Sequence, residues 1–298
     1  MKLLTTSSQI TCTCLLFSTM ACVTSSPTIN PTIEKFKEAP LTKTPGVETL
    51  CEDWAVITDG IYKYENNVWG ADKELPYHQC LVKKSENGKT SYGWNWTWQG
   101  KAPNWVFAYP EIIVGWKPWG ESQPTHPAYP IKVSNIKNLK ISYDVNLEAE
   151  GSYNLAPEIW LVSSKPKSFP IEKPEQLITT EIMFWMDYSA DATPAGSRIG
   201  NFEFDGKEYD LWHKDNHNNS GDSVSWAIFS LVSKEKQLSA SIDVSGLLKK
   251  LIELGYDIDE NEYVATVEFG TEVLGKTANS QSRGAVWVNE YEVSLESH

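Results

Sequence analysis

The sequence predicts an all-β protein, an antiparallel sandwich or barrel carrying one packed helix. Three observations point there. From Glu48 onward, short runs with period-two alternation dominate, turn-rich segments separate them, and a single stretch has helical periodicity. The alternating runs are Ala55–Ile57, Tyr92–Trp98, Ile141–Leu147, Ile159–Val162, Glu181–Met186, Val224–Val232, Tyr263–Phe269 and Ala285–Leu295. They are rich in the β-branched and aromatic residues that suit a pleated surface. Glu86-Asn87-Gly88, Asp205-Gly206 and Asn218-Asn219-Ser220-Gly221 supply residues that accept the positive φ of tight turns. In the exceptional stretch, Asp243 or Ser245 can cap a helix, Leu247, Leu248, Leu251 and Ile252 fall on one face, and Gly255 stops it.

Residues 1–21 read as an export signal. Lys2 precedes an uncharged stretch through Ile10, Leu15, Leu16, Phe17 and Met20 that is too short and too polar for a membrane span. Small residues before Cys22 admit a lipoprotein-type site at positions 19–22, although the box lacks its leading Leu; ordinary cleavage is the other reading. Residues 22–46, with Pro27, Pro31, Pro40 and Pro45, read as a solvated Thr/Pro/Ser-rich linker. The folded part, residues 47–298, is therefore expected outside the cytoplasm, secreted or held at the cell surface by a lipid on Cys22.

Cys12 and Cys14 lie in the signal, which leaves Cys51 and Cys80 for the domain. An even pair in an exported chain is expected to form a disulfide, the alternative being two buried thiols. A net charge of −13, from 39 acidic against 26 basic side chains, argues against nucleic acid or an anionic membrane as partner. The 13 tryptophans call for either a very aromatic core or a surface that stacks on flat ligands.

In a strand, Glu181, Met183 and Trp185 share one face, and Ile182, Phe184 and Met186 the other. The second set is a core face. The first sets a carboxylate beside an indole and a thioether, which is costly unless that face lines a wet cleft. Glu268, Gly270 and Glu272 likewise share a face, and Gly270 is expected to leave room for a ligand. Two carboxylates offered to an aromatic cleft from two strands match the needs of glycoside hydrolysis, where one group attacks the anomeric carbon and the other protonates the leaving oxygen. Solvent-facing glutamates are the bland alternative.

Glu181-Ile182-Met183-Phe184-Trp185 and Glu268-Phe269-Gly270-Thr271-Glu272 resemble the two catalytic signatures of glycoside hydrolase family 12, which comprises β-1,4-endoglucanases and xyloglucanases. The resemblance continues in order. Cys51-Glu52-Asp53-Trp54, Asn66-Asn67-Val68-Trp69-Gly70 and Cys80 resemble the family's N-terminal disulfide and NNxWG strand. Tyr92 to Trp98, Ala108 to Ile112 and Pro194 to Ser197 follow, covering residues 50–296. It implies a concanavalin-like two-sheet jelly roll with a long cleft, and a retaining endo-β-1,4-glucanase with Glu181 as nucleophile and Glu272 as acid/base. It further implies that Asn67 and Trp69 bind glucosyl units on the non-reducing side with Trp54 further out, and that Met183 and Trp185 form the floor beside Glu181. The expected partner is a β-glucan, with no cofactor, no metal and no protein partner, acting as a monomer.

Two departures bear on substrate preference. Glu158 stands where the family commonly has Asp beside the nucleophile, and Val273-Leu274 where it often has Pro-Phe. The segment 115–130, with Trp116 and Trp119, is expected to border the cleft. Trp160, Trp226 and Trp287 are not separable into core or cleft by periodicity. His213 and His217 are expected in a polar hairpin turn rather than at a metal, and Asp257 to Glu262 in a solvated turn. Asn95-Trp96-Thr97 and Asn218-Asn219-Ser220 fit the glycosylation pattern. Two rival functions are a non-catalytic jelly-roll carbohydrate-binding protein and a xylanase of the same fold.

Overall fold

A computed structural model describes residues 39–298 apart from 42, 120–122 and 219–223. The export signal, Cys22 and much of the linker thus lie outside the described residues, as does the core of the turn at 218–221. In chain order the strands are β1 (Val47–Leu50), β2 (Val56–Asp59), β3 (Tyr62–Glu65), β4 (Tyr77–Glu86), β5 (Lys89–Gln99) and β6 (Val106–Ala108). There follow β7 (Glu111–Gly115), β8 (Ile131–Lys132), β9 (Ile136–Gly151), β10 (Tyr153–Val162), β11 (Ile178–Trp185) and β12 (Asp187–Tyr188). The rest are β13 (Ser197–Phe204), β14 (Lys207–His217), β15 (Trp226–Ser233), β16 (Ser239–Asp243), the helix α1 (Val244–Glu253), β17 (Tyr263–Leu274) and β18 (Gln281–Ser297).

Two sheets result. The smaller runs β1-β4-β5-β18-β9-β16, and the larger β13-β14-β15-β11-β10-β17-β7-β3-β2, with β6 and β8 on β17 and β12 on β10. Every alternating run read from the sequence overlaps a strand. One ladder departs from the antiparallel expectation: β11 and β15 are parallel. The β13–β14 hairpin lies between them in the chain and supplies the long connection that a parallel pair requires.

The inter-sheet core takes one face of each strand. Ile182, Phe184 and Met186 lie in it, as do Leu155, Ile159, Phe229, Leu231, Val267 and Phe269. Trp94, Trp96 and Trp98 of β5 are fully buried there, and each indole N–H finds an acceptor: Thr271 Oγ1 at 3.0 Å, Ser282 Oγ at 2.9 Å and Gln79 Oε1 at 3.0 Å. Part of the Trp excess is therefore structural. Asp243, not Ser245, caps α1, accepting from the Gly246 N–H at 2.9 Å, and the helix buries Leu247, Leu248 and Leu251 against the core.

The turns at Asn87-Gly88 and Asp205-Gly206 have φ of 53°, 77°, 52° and 71°, the paired positive values of a tight hairpin. Cys51 and Cys80 are disulfide-bonded. His213 and His217 lie on β14, not in a turn: alternating polar residues on this outer strand look like a loop in sequence. His213 stacks on Phe229 at 4.2 Å. Asn95 is fully buried and donates to the Pro40 carbonyl, so the 95–97 glycosylation pattern is sterically closed in the folded chain.

Candidate active site

The face of the larger sheet turned away from the core lines a cleft of about 1140 Å³. All the residues singled out from sequence open on it: Glu181, Glu272, Trp54, Asn67, Trp69, Glu158, Met183 and Trp185. The reason is the strand period. With Ile182 and Phe184 committed to the core, Glu181, Met183 and Trp185 must face the other way.

Glu181 on β11 and Glu272 on β17 flank β10, opposite Trp160 and Asn154 respectively. Each carboxylate accepts one specific donor. Trp226 Nε1 donates to Glu181 Oε2 at 2.6 Å, and Asn154 Nδ2 donates to Glu272 Oε2. Glu181 is buried and Glu272 half-buried. Loss of hydration raises Glu181 to about 8, opposed by the Trp226 hydrogen bond and reinforced by the negative charge of Glu272. The same loss raises Glu272 to about 7 against the Asn154 hydrogen bond. Glu158, between them on β10, is raised well above the carboxylate range by burial and by the charges of Glu181 and Glu268.

Around Glu181 stands an aromatic box that sequence reading left undecided. Trp119, Trp160 and Trp226 meet edge-on in a triangle with centroids 5.5, 5.3 and 5.6 Å apart, and all three line the cleft. Trp116, by contrast, is buried and packs on Phe169 at 5.0 Å, so only Trp119 of that segment's two tryptophans reaches the cleft. His217 sits against Trp226 at 5.2 Å and is pushed down to about 4 by burial and by Lys214.

Beneath the cleft lies a buried ionic cluster. Lys117 Nζ bonds Glu111 Oε1 at 2.7 Å and Glu268 Oε2 at 2.8 Å, and Asn67 Nδ2 donates to the same Glu111 oxygen at 2.8 Å. Both carboxyls are fully buried. Burial and the Glu268 charge raise Glu111 well above its ordinary range, opposed by the Lys117 cation. Glu268 is thus a structural group, although it shares a strand face with Glu272. The Asn67 side-chain oxygen Oδ1 accepts from the Trp69 N–H at 3.0 Å, which ties the Asn67–Trp69 corner to this cluster. Contrary to the expectation from sequence, Gly270 does not leave room for a ligand. A Cβ there would meet Pro110 O at 2.7 Å and the Tyr109 ring at 2.8 Å, so the space is filled by Tyr109.

The profile of Glycosyl hydrolase family 12 matches residues 60–296, nearly the whole described chain. The chain belongs to glycosyl hydrolase family 12. It is therefore a glycoside hydrolase, and the relatives agree with its family. It is 28% identical to Endoglucanase S of Pectobacterium parmentieri over 72% of this chain and 76% of that one. It is 24% identical to a probable xyloglucan-specific endo-beta-1,4-glucanase A of Aspergillus fumigatus over 83% and 91% of the two chains. Among solved structures, a family 12 xyloglucanase from Bacillus licheniformis superposes with a TM-score of 0.71 at 26% identity, covering 84% of this chain and 100% of that one. The endoglucanase Cel12A of Rhodothermus marinus, at 21% identity and a TM-score of 0.62, shares the fold. The two-sheet jelly roll of this family 12 chain is the one its motifs imply.

Proposed function

We propose that the protein is a secreted, retaining endo-β-1,4-glucanase, with Glu181 as nucleophile and Glu272 as acid/base. Its substrates are internal bonds of β-glucans of the cellulose, mixed-linkage or xyloglucan type. The observation that carries this reading is the pair of carboxyls on the two strands flanking β10, both facing one aromatic cleft and both raised towards neutrality. In the first step Glu272 gives its proton to the glycosidic oxygen as the bond from that oxygen to the anomeric carbon breaks. A Glu181 oxygen forms the new bond to that carbon, and the leaving chain departs as an alcohol. Esterification removes the Glu181 charge, so Glu272 can now act as a base. It takes a proton from water as the water oxygen attacks the same carbon and Glu181 leaves as a carboxylate.

The supporting groups suit these roles. An indole N–H can only donate, so Trp226 favours the ionised nucleophile. Trp54, Trp69 and Trp185 offer flat platforms for the apolar faces of sugar rings. Export is supported by the Cys51–Cys80 disulfide, which persists in oxidising compartments. The names of the relatives support both glucan and xyloglucan as substrates.

Because the pair ionises near neutrality, the reactive singly protonated form belongs there, and kcat/KM is expected to peak near pH 7 to 8. Trp226→Phe keeps the ring and removes the donor. Glu181, already above Glu272, then rises further, so the form with Glu181 ionised and Glu272 protonated becomes scarcer: the alkaline limb of the profile moves to higher pH and kcat falls about 10- to 100-fold. An unmoved alkaline limb would show that Trp226 does not tune Glu181. The reading as a whole is tested by reducing-sugar release from carboxymethylcellulose, mixed-linkage glucan and xyloglucan, with NMR of the first-formed anomer. The β-anomer is expected. Release from none of the three, or an initial α-anomer, overturns it.

A further inference from the structure

The hydrogen bond to the nucleophile candidate is made by a residue at the very start of a strand. Trp226 opens β15, and the ladder to β11 begins one residue later, with Thr180 opposite Ala227. Glu181 lies opposite Ile228, two residues along and on the same face, so the indole leans along the strand to bring Nε1 to Glu181 Oε2 at 2.6 Å. Pairing with β11 therefore does not fix this ring; its neighbours do. Among the described residues three rings meet it edge-on: Trp160 at 5.6 Å and 63°, His217 at 5.2 Å and 85°, and Trp119 at 5.3 Å and 72°.

Trp160 and His217 come from strands of the same sheet, where register sets them opposite Glu181 and Trp226 respectively. Trp119 comes from the segment between β7 and β8, and that segment is pinned around it. The Gly115 N–H donates to Thr125 Oγ1 at 2.9 Å while the Thr125 N–H donates to the Gly115 carbonyl at 2.8 Å, which closes the segment on itself. The Trp116 N–H donates to the Ala265 carbonyl at 2.7 Å, its ring is buried on Phe169, and Lys117 is bonded to Glu111 and Glu268. The half-buried Trp119 follows two residues later and also meets Trp160 edge-on at 5.5 Å. A ring carried by so firmly tied a segment, and set against two rings of the box, is placed to hold Trp226 where the ladder does not.

We propose that Trp119 is a positioning residue for the nucleophile candidate, acting through Trp226: it keeps the Trp226 indole at the angle from which its N–H bonds Glu181. A hydrogen bond weakens steeply as its donor turns away, so a ring free to turn about its side-chain bonds would lose it. The proposal rests on the reading of Glu181 given above. It is distinct from a direct sugar contact, for which Trp119 is also placed on the cleft wall. A sugar contact acts on binding, whereas a clamp on Trp226 acts on the attack by Glu181.

The test isolates that attack. With 2-deoxy-2-fluoro-β-cellotriosyl fluoride a Glu181 oxygen bonds the anomeric carbon as fluoride departs without needing a proton, and the inactivation yields a binding constant and a limiting rate. Trp119→Ala is expected to lower the limiting rate about five- to tenfold, with the binding constant within about twofold of wild type. Trp119→Leu, which fills the space without a ring edge, should match it, and Trp119→Phe, which keeps an edge, should recover most of the loss. In a Trp226→Phe background no donor remains to be aimed, so adding Trp119→Ala should lower the rate by less than about twofold further. A loss carried by the binding constant, a loss that multiplies undiminished with that of Trp226→Phe, or no loss at all would overturn the proposal. A wild-type protein that the inhibitor does not label at Glu181 would overturn the reading of the nucleophile itself.

Discussion

Replacing Glu181 or Glu272 by Gln is expected to lower kcat on a soluble β-glucan by roughly 10⁴-fold or more, with the fold intact. Glutamine keeps the shape but can neither attack the anomeric carbon nor cycle a proton. A 2-fluoro glycosyl inhibitor is expected to label Glu181, and labelling elsewhere would falsify the assignment. The same substitutions carry an opposite, pH-dependent effect on stability. Folded-state values of about 8 and about 7 lie above an unfolded carboxyl near ~4.3, so the folded chain binds more protons between those limits. The stability contributed by the protonated carboxyls is full below the unfolded value and is lost as pH rises through the folded one. Glutamine does not ionise and escapes this loss. The variants should therefore unfold at higher temperature than wild type at pH 8.5 and lose that advantage at pH 4.5. Thermal unfolding at the two pH values checks both signs, and an advantage larger at the acidic pH would contradict the burial argument.

Lys117→Met is the second large effect, and it acts on stability first. Removing one partner of a buried ionic cluster costs about 3–5 kcal/mol, because the charges left behind lose their compensation. Here Glu111 and Glu268 would face one another with no cation, both fully buried. Urea unfolding at pH 7 should show that loss. Adding Glu268→Gln to Lys117→Met should recover part of it at pH 7. Because Asn67 hangs on Glu111, the single variant is also expected to raise KM on polymer. An unchanged urea midpoint would show that the cluster is energetically neutral.

Local chemistry made much of this molecule readable before any coordinates. The alternation in Glu181–Met186 and the Asn-Gly and Asp-Gly turns are properties of a few adjacent residues, since strand period and positive φ are local. The helix stop at Gly255, with φ of +81°, is equally local. What sequence reading missed has the opposite character. The end of β14 around His213 and His217 reads as a turn because a strand with polar, charged side chains carries little hydrophobic alternation. The Lys117 cluster joins positions 151 residues apart, and no sequence pattern marks a lysine whose partners are chosen by sheet register. The donors that poise the two carboxyls are equally distant: Trp226 lies 45 residues from Glu181, and Asn154 lies 118 from Glu272.

The same division applies to the glutamates themselves. Sequence alone determined that Glu181 and Glu272 face away from the core, because period-two geometry leaves them no other side, and its motifs already pointed to family 12. Strand period alone does not separate Glu272 from Glu268, which share a strand face; the family resemblance names Glu272. Tertiary structure adds that Lys117, from the segment after β7, pairs with Glu268, while Glu272 lines the cleft. It also decided where the tryptophans go. Trp94, Trp96 and Trp98 fill the core because β17, β18 and β4 hold their ring nitrogens to acceptors, whereas Trp105, Trp160 and Trp226 reach the cleft through loop and sheet geometry. Side-chain direction is a local property of the strand; the charge, partner or ligand that the side chain meets depends on which distant strand the register places beside it.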